Sequence, residues 1–392
     1  MSKVIFVGGG SIGHIAPAVA VARALIGIKK EAEAVFVCSS RKDDSAFLEM
    51  EGFNFRQIEA PRIGLGFPLK FLRAYKTAKK ILAEEKPDVI FSKGGYVSVP
   101  VCLAAKRMNI PIILHESDAV MGRANRIISK WASRVCLGFP IKRETRNQPS
   151  FVSGELRPAG EQRTTLTGTP LRPQITQGSS EEGKRIAGFS NSNKPVLLVI
   201  GGSQGSRALN EFVIKNIDKL VEKYNVIHIT GYGKVGCGNS EKSKPGAPVL
   251  GCGRYFQTEF AGDELAHFYA AADIAISRAG ANTIAELAAN NIPAILVPLR
   301  GIAHNHQIAN ARVASALGNF EIVNQDKINK ELVEKLKSIQ TKNQTSNEQP
   351  AFVRQRRTTA GRRATSNLFS PAPALQIAKI ICDCLAHSEK HH

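Results

Sequence analysis

Long apolar runs are missing from this 392-residue chain. None approaches the ~20 residues that a membrane-crossing helix needs, so no spanning segment is expected. A leader pattern is missing too: Lys3 precedes only Val4 to Val7 before glycines begin. That start reads as a strand in a chain that stays in the cytoplasm. Paired cysteine spacing is absent. The seven cysteines are scattered, with Cys382 and Cys384 on a predicted helix and Cys237 and Cys252 in glycine-rich loops. Reduced thiols are the expectation, rather than disulfides or a metal centre. Aromatic residues make up only 6% of the chain. That scarcity argues against a nucleic-acid groove, which stacks bases on aromatic rings beside its cations.

Positive charge, by contrast, is abundant. Lys and Arg number 53 against 33 Asp and Glu, a net charge of +20. Such a surplus favours an anionic partner, which leaves nucleic acid, an anionic membrane surface or a phosphorylated substrate. Apolar content of 43% and charged content of 22% are globular values. The length allows two domains, each able to bury a core.

Strand–glycine loop–helix patterns recur in both halves. Val4 to Val7 runs into Gly8-Gly9-Gly10-Ser11-Ile12-Gly13-His14, and a helix is expected from Pro17 to Leu25. Glycine lets the backbone pass close to a ligand and turn into the helix. No acidic residue closes the next strand, Val35 to Ser40, so this is not the dinucleotide fingerprint. Asp88 to Pro100 repeats the pattern through Gly94-Gly95-Tyr96, and the strand from Pro111 ends in His115, Glu116 and Asp118. In open α/β sheets that strand end is where ligands bind. Residues 141–168 lose periodicity and read as a domain linker.

The second half restarts at Pro195 to Ile200, followed by Gly201-Gly202-Ser203-Gln204-Gly205 and a helix from Arg207 to Leu220. Its most informative stretch is Asp273 to Asn310. Ile274 to Ile276 is a short strand, Ser277 to Gly280 a small-residue turn, and the helix after it carries Glu286. Unpartnered N–H groups and the dipole at a helix start suit an anion. Glu286 lies too far along to cap the helix, and its carboxylate suits a sugar diol lying alongside. An ordinary exposed Glu on an ordinary helix is the alternative.

Two segments concentrate the charge. Pro61 to Lys80 interleaves Ile63, Leu65, Phe67, Leu69, Phe71 and Leu72 with six cations, which suits an anionic bilayer face. A core helix with a solvated outer face is the competing reading of Lys70 to Leu82. Residues 341–367 are rich in Arg, Gln, Asn and Thr, with almost no apolar periodicity. A last amphipathic helix is expected from Ala374 to Leu385.

Taken in order, the glycine loop with His14, Gly94 to Ser98, His115 to Asp118, Thr169-Pro170-Leu171-Arg172, Gly201 to Gly205, Arg278 to Thr283 with Glu286, and His306-Gln307 with Asn310 resemble the MurG family of peptidoglycan N-acetylglucosaminyltransferases. The resemblance covers about residues 1–335. It implies an α/β, GT-B fold: two Rossmann-like domains with parallel sheets facing a cleft, and a C-terminal helix crossing back to the first. Domains 1–165 and 166–370 and a tail 371–392 follow from it.

The implied reaction moves N-acetylglucosamine, with inversion and without a metal or other cofactor, from its UDP donor to a polyprenyl-pyrophosphoryl acceptor lipid. It would take place at the cytoplasmic face of the membrane. The resemblance assigns the donor to Arg172, Ser203, Gln204, Gly280, Ala281, Asn282, Thr283, Glu286, His306 and Gln307. It assigns the acceptor to Gly10, Ser11, Ile12, Gly13 and Tyr96. His14 is the first candidate for the base and Asp118 the second. Ile12 departs from the small residue usual in that loop. The competing readings are another GT-B enzyme (a glycolipid glycosyltransferase or UDP-sugar epimerase), a non-catalytic sugar-binding homologue, and a nucleic-acid binder, which the scarce aromatics disfavour.

Overall fold

The computed structural model describes residues 2–10, 12–59, 66–140, 142–145, 148–151, 163–202, 204–234, 254–301, 305–316, 320–344 and 372–388. Ile63, Leu65, Cys237, Cys252 and residues 345–367 of the Arg-rich segment lie outside them. Two compact units emerge: Met1–Arg172 with Pro371–His392, and Pro173–Ser370.

The first unit begins with β1 (Lys3–Val7), α1 (Ile12–Ile28), β2 (Glu33–Ser39), α2 (Lys42–Met50), β3 (Asn54–Ile58) and α3 (Phe67–Glu85). It continues through β4 (Val89–Ser92), α4 (Ser98–Arg107), β5 (Ile112–Glu116), α5 (Arg123–Ile128) and β6 (Arg134–Leu137). An antiparallel pair, β7 (Lys142–Thr145) and β8 (Gln148–Phe151), precedes β9 (Arg163–Leu166). Among the described residues its main sheet runs β3-β2-β1-β4-β5-β6-β9 and is parallel throughout. Strands covered on both faces need apolar residues at every position, which is why Val4 to Val7 and Ile112 to Leu114 are all buried.

The second unit contains α6 (Ser180–Ile186), β10 (Val196–Ile200), α7 (Arg207–Lys215), α8 (Ile217–Lys223), β11 (Asn225–Ile229), β12 (Tyr255–Thr258) and α9 (Glu264–Ala271). It continues with β13 (Ile274–Ser277), α10 (Ala281–Ala289), β14 (Ala294–Leu296), α11 (His306–Ala316), β15 (Phe320–Ile322) and α12 (Ile328–Gln344). Its sheet order is β12-β11-β10-β13-β14-β15, again all parallel. In both units, chain order runs outward from the first strand one way and then the other. The reversal falls between β1 and β4 and between β10 and β13, which places a binding crevice at their carboxyl ends.

The C-terminal helix (Ala372–Ser388) belongs to the first unit. Helix α1 is apolar around most of its circumference, with Ala18 to Ala22 and Leu25 all buried, so it needs cover on its outer side. Ala374, Ile377, Ala378, Ile381 and Leu385 supply that cover in one cluster with α1 and β1.

Four sequence expectations are corrected. Helix α1 starts at Ile12 and carries Pro17 inside it. A Pro in that position forgoes one helical hydrogen bond, and burial of the surrounding side chains offsets the loss. Residues 163–166 are not linker: they form the edge strand β9 on β6. An edge strand such as Arg-Thr-Thr-Leu needs no apolar run, so periodicity missed it. The helix expected from Arg207 to Leu220 breaks at Asn216, whose side chain donates back to the Phe212 carbonyl at 2.9 Å. Pro373, expected just ahead of the last helix, lies in its first turn, where a missing N–H costs nothing.

No helix of the described residues is long and apolar enough to cross a membrane. Helix α3 buries Ala74, Ala78, Ile81 and Leu82 on one side. Its first turns present Leu69, 70% exposed, and Leu72, 48% exposed.

Candidate functional site

In the first unit, the loop after β1 is fastened from below. Asp44, fully buried on α2, accepts the Gly10 N–H at 2.8 Å and the Ser39 hydroxyl at 2.5 Å on one carboxylate oxygen. Arg41 donates to the Gly10 carbonyl at 2.7 Å. Tyr96 lies against the same residue. A Cβ on Gly10, whose φ is +89°, would sit 2.6 Å from the Tyr96 ring, so only glycine lets the two loops meet. Gly13 falls in the first turn of α1. Ser11 lies outside the described residues, and Ile12 opens the helix.

The carboxyl ends of β4 and β5 bring charge to this loop. Lys93 follows β4 directly and is only 2% exposed. Its ammonium donates to the Ser117 hydroxyl. Glu116, 4% exposed, accepts the Asp118 N–H at 2.9 Å on one oxygen. Its other oxygen accepts Gly122 N–H at 3.0 Å and Asn125 Nδ2 at 2.9 Å. Burial and the neighbouring Asp118 push the Glu116 carboxyl upward, against the pull of those N–H donors and Lys93. Burial lowers Lys93 to about 8, opposed by the charges of Glu116 and Asp118.

His14, half-buried in the first turn of α1, hydrogen-bonds the Lys93 backbone. Its imidazole is held below the ordinary range by burial and then by the Lys93 charge, with Asp118, the Lys93 backbone bond and Asp44 pulling the other way. His14, Asp118, Tyr96 and Gly10 therefore gather at the switch point of one sheet. His115, read from sequence at the same strand end, is a core residue: fully buried, it bonds the Gly168 carbonyl at 3.0 Å.

In the second unit, Gly280 is the N-cap residue of α10, and Ala281, Asn282 and Thr283 form its first turn. Buried Asn310 donates to the Ala279 carbonyl at 3.1 Å and fixes this turn. Arg278 is not aimed at a ligand. Its guanidinium donates to the Val297 carbonyl at 3.0 Å and to Gln325 at 2.6 Å. Glu286, half-buried, accepts the hydroxyl of fully buried Tyr269 at 2.7 Å. His306 and Gln307 begin α11, and the Gln307 side-chain Oε1 accepts the Leu299 N–H at 3.0 Å. Gln204 is exposed in the loop after β10, and Ser203 lies outside the described residues.

Arg172 stands elsewhere. It groups with the first unit, reaching Glu51 at 3.2 Å and lying over the Phe47 ring at 5.6 Å. Glu51 also receives Arg23 at 2.8 Å.

Several residues here escaped the sequence reading. Lys93 had a usable signal, its place at a strand end just before a double glycine. Asp44 and Tyr269 had none, since each acts across the fold. Tyr232 and Phe260 form an exposed ring stack, 5.2 Å between centroids, just beyond β11 and β12.

Comparison with known proteins bears directly on this arrangement. Residues 4–137 match the glycosyltransferase family 28 N-terminal domain, and residues 196–361 its C-terminal domain. A Clostridium botulinum (strain Hall) protein is 36% identical over 345 residues, covering 86% of this chain and 90% of its own. It is named UDP-N-acetylglucosamine–N-acetylmuramyl-(pentapeptide) pyrophosphoryl-undecaprenol N-acetylglucosamine transferase. The chain belongs to glycosyltransferase family 28, in the MurG family. A Clostridium tetani protein of the same name is 34% identical, covering 84% of this chain and 87% of its own. The crystal structure of Acinetobacter baumannii MurG superposes with a TM-score of 0.62 at 23% identity, covering 99% of this chain and all of that one. The fold is thus the α/β GT-B type, with family 28 sequence in both units.

Loop geometry in the second unit yields a direct test. Gly205 has φ +66°, and a Cβ there would lie 2.0 Å from the Thr230 carbonyl oxygen. Gly205→Ala should therefore destabilise the fold by about 1–3 kcal/mol. Urea unfolding of wild type and variant checks it, and equal midpoints would show that the loop yields freely.

Proposed function

We propose that this family 28 enzyme transfers N-acetylglucosamine from UDP-N-acetylglucosamine to the 4-hydroxyl of the muramyl sugar in undecaprenyl-pyrophosphoryl-muramyl-pentapeptide, a step of peptidoglycan synthesis. The observation that carries the reading is 36% identity, over nine-tenths of its length, to a transferase of that name. Residues of each unit suit the chemistry.

The acceptor oxygen attacks the anomeric carbon, the bond from that carbon to UDP breaks, and the hydroxyl proton must leave as the new bond forms. A neutral imidazole is the suitable acceptor near neutral pH. His14, held neutral at the switch point of the first unit, is the proposed base, and Asp118 is the second candidate. Tyr96 and the loop from Gly10 to Gly13 form the acceptor side. On the donor side, the first turn of α10 offers N–H groups to the diphosphate leaving group as its charge develops. Glu286 accepts the ribose hydroxyls, and Gln204, Ser203, His306 and Gln307 complete the donor set. Arg172 stays in that set as a proposal, although its present partner is Glu51. A UDP-sugar epimerase would need no base for a lipid-borne hydroxyl.

The test is incubation with labelled UDP-N-acetylglucosamine and a short-chain acceptor analogue, reading turnover and anomeric configuration. His14→Ala should lower kcat by about 10²–10⁴-fold with UDP affinity nearly intact. Turnover that survives while only the acceptor KM rises would hand the base role to Asp118.

Calorimetric titration addresses the donor half separately. Glu286→Ala leaves the ribose hydroxyls without an acceptor and should weaken UDP binding by about 1–3 kcal/mol. Unchanged affinity would remove Glu286 from the donor site.

We further propose peripheral association with an anionic membrane surface through the start of α3, at the cytoplasmic face. Exposed Leu69 and Leu72 stand among exposed Lys70, Arg73, Lys76, Lys79 and Lys80. Apolar insertion and charge attraction then act together. Sedimentation with anionic vesicles should weaken with added salt and with Leu69→Asp. Equal, poor sedimentation with neutral and anionic vesicles would count against this surface.

A further inference from the structure

Lys93 is a buried cation that the reaction scheme above does not use. An ammonium at 2% exposure has lost most of its hydration, an effective cost of several kcal/mol that its surroundings must offset. The compensation is local and specific. Ser117 accepts its hydrogen bond, and the carboxylates of Glu116 and Asp118 supply the opposing charge. Glu116 is itself fixed by two backbone N–H groups and Asn125, so the negative pole cannot swing away. The peptide unit of Lys93 is tied in as well: its N–H donates to the Val7 carbonyl at 2.8 Å, and the His14 ring, which its backbone bonds, lies 3.8 Å from the Cβ position of Gly95 in the same turn. One residue thus sets both the orientation and the electrostatic surroundings of that imidazole.

We propose that Lys93 is a positioning residue for the general base: its buried ammonium keeps the His14 imidazole free to accept a proton, while its backbone aims the ring. This inference rests on the reading of His14 as the base. The charged groups around His14 are Lys93 at the end of β4, Asp118 beyond β5 and Asp44 on α2. The two carboxylates, and the bond to the Lys93 backbone between them in size, stabilise imidazolium, which is useless as a base. Burial, and after it the nearby ammonium, opposes them and prevails: the His14 imidazole lies below its ordinary 6.5. The sign follows. Without the cation the imidazole gains affinity for a proton, and a smaller fraction is ready to act at neutral pH.

The experiment titrates His14 directly, by NMR of protein with isotope-labelled histidine. The chain has nine histidines, and His14→Gln identifies the resonance by its loss. In wild type the midpoint should lie below 6.5, and a midpoint at or above that value overturns the proposal. Lys93→Met keeps the length of the side chain and removes its charge. It should raise the midpoint by about one pH unit, and the acid limb of the kcat profile should move up with it. Lys93→Gln is a second neutral variant, polar rather than apolar, should the Met variant fold poorly. Lys93→Arg keeps the charge and should leave the midpoint near wild type. A midpoint unmoved in a folded neutral variant, or raised as much by Arg as by Met, overturns the proposal. If the imidazole midpoint moves but the kcat limb does not, the coupling stands and His14 loses the base role. That outcome separates a failure of the base assignment from a failure of the role given to Lys93.

Discussion

A parallel sheet wound first to one side and then to the other cannot close its crossovers over the middle. Between β1 and β4, and again between β10 and β13, the connections leave in opposite directions, and the strand ends there face no covering helix. The rest of the site follows from that topological constraint. The residues that end these strands must turn sharply, which brings in glycine, and the helices that follow begin with N–H groups pointing back toward the gap. Both units obey the rule with the same relative strand order, although their sequences fill it differently.

The filling differs in kind. In the first unit the crevice is lined by full charges held out of water: Lys93, Glu116 and buried Asp44. Each is matched by hydrogen bonds. Glu116 takes three donors, and Asp44 takes a backbone N–H and a hydroxyl on one oxygen. Charges so fastened cannot relax when a proton moves, and this is the condition for tuning an imidazole. In the second unit the one buried cation, Arg278 among the described residues, is turned inward onto the Val297 carbonyl and Gln325. It steadies the strand ends there, and under the proposed function a helix start and a half-buried carboxylate are left to meet the donor.

Much of this was legible in the chain. Strands buried on both faces declare themselves as short apolar runs, and double glycines mark the turns at their ends, so the paired α/β architecture followed from Val4 to Val7, Val196 to Ile200 and their loops. Glu286 stood out because a carboxylate halfway along a short helix has no capping role, and its place at the donor is part of the proposal. What stayed hidden acts between elements. Nothing around Asp44 says that its carboxylate reaches the Gly10 N–H, and nothing around Tyr269 says that its hydroxyl meets Glu286. His115 and Arg278 were read as parts of functional motifs, and burial has made both structural. Pro17 misled in the opposite way, because a helix covered on both sides tolerates a proline that an isolated helix would not.

The composition's surplus of cations also resolves into distinct tasks. Few of them can be catalytic, since the interior of each unit admits a charge only where a fixed partner meets it. Lys93 and Arg278 are the buried cations among the described residues. The cations of α3 remain on the surface instead, beside apolar side chains that the core did not need. A nucleotide-sugar donor presents its own diphosphate, which a helix start can hold without a buried countercharge and release once the sugar has gone. A lipid-borne acceptor arrives from an interface, where surface cations attract anionic headgroups. Under the proposed function, the cations of α3 serve delivery of the acceptor. The two crevices need only the few charges whose positions the fold can guarantee.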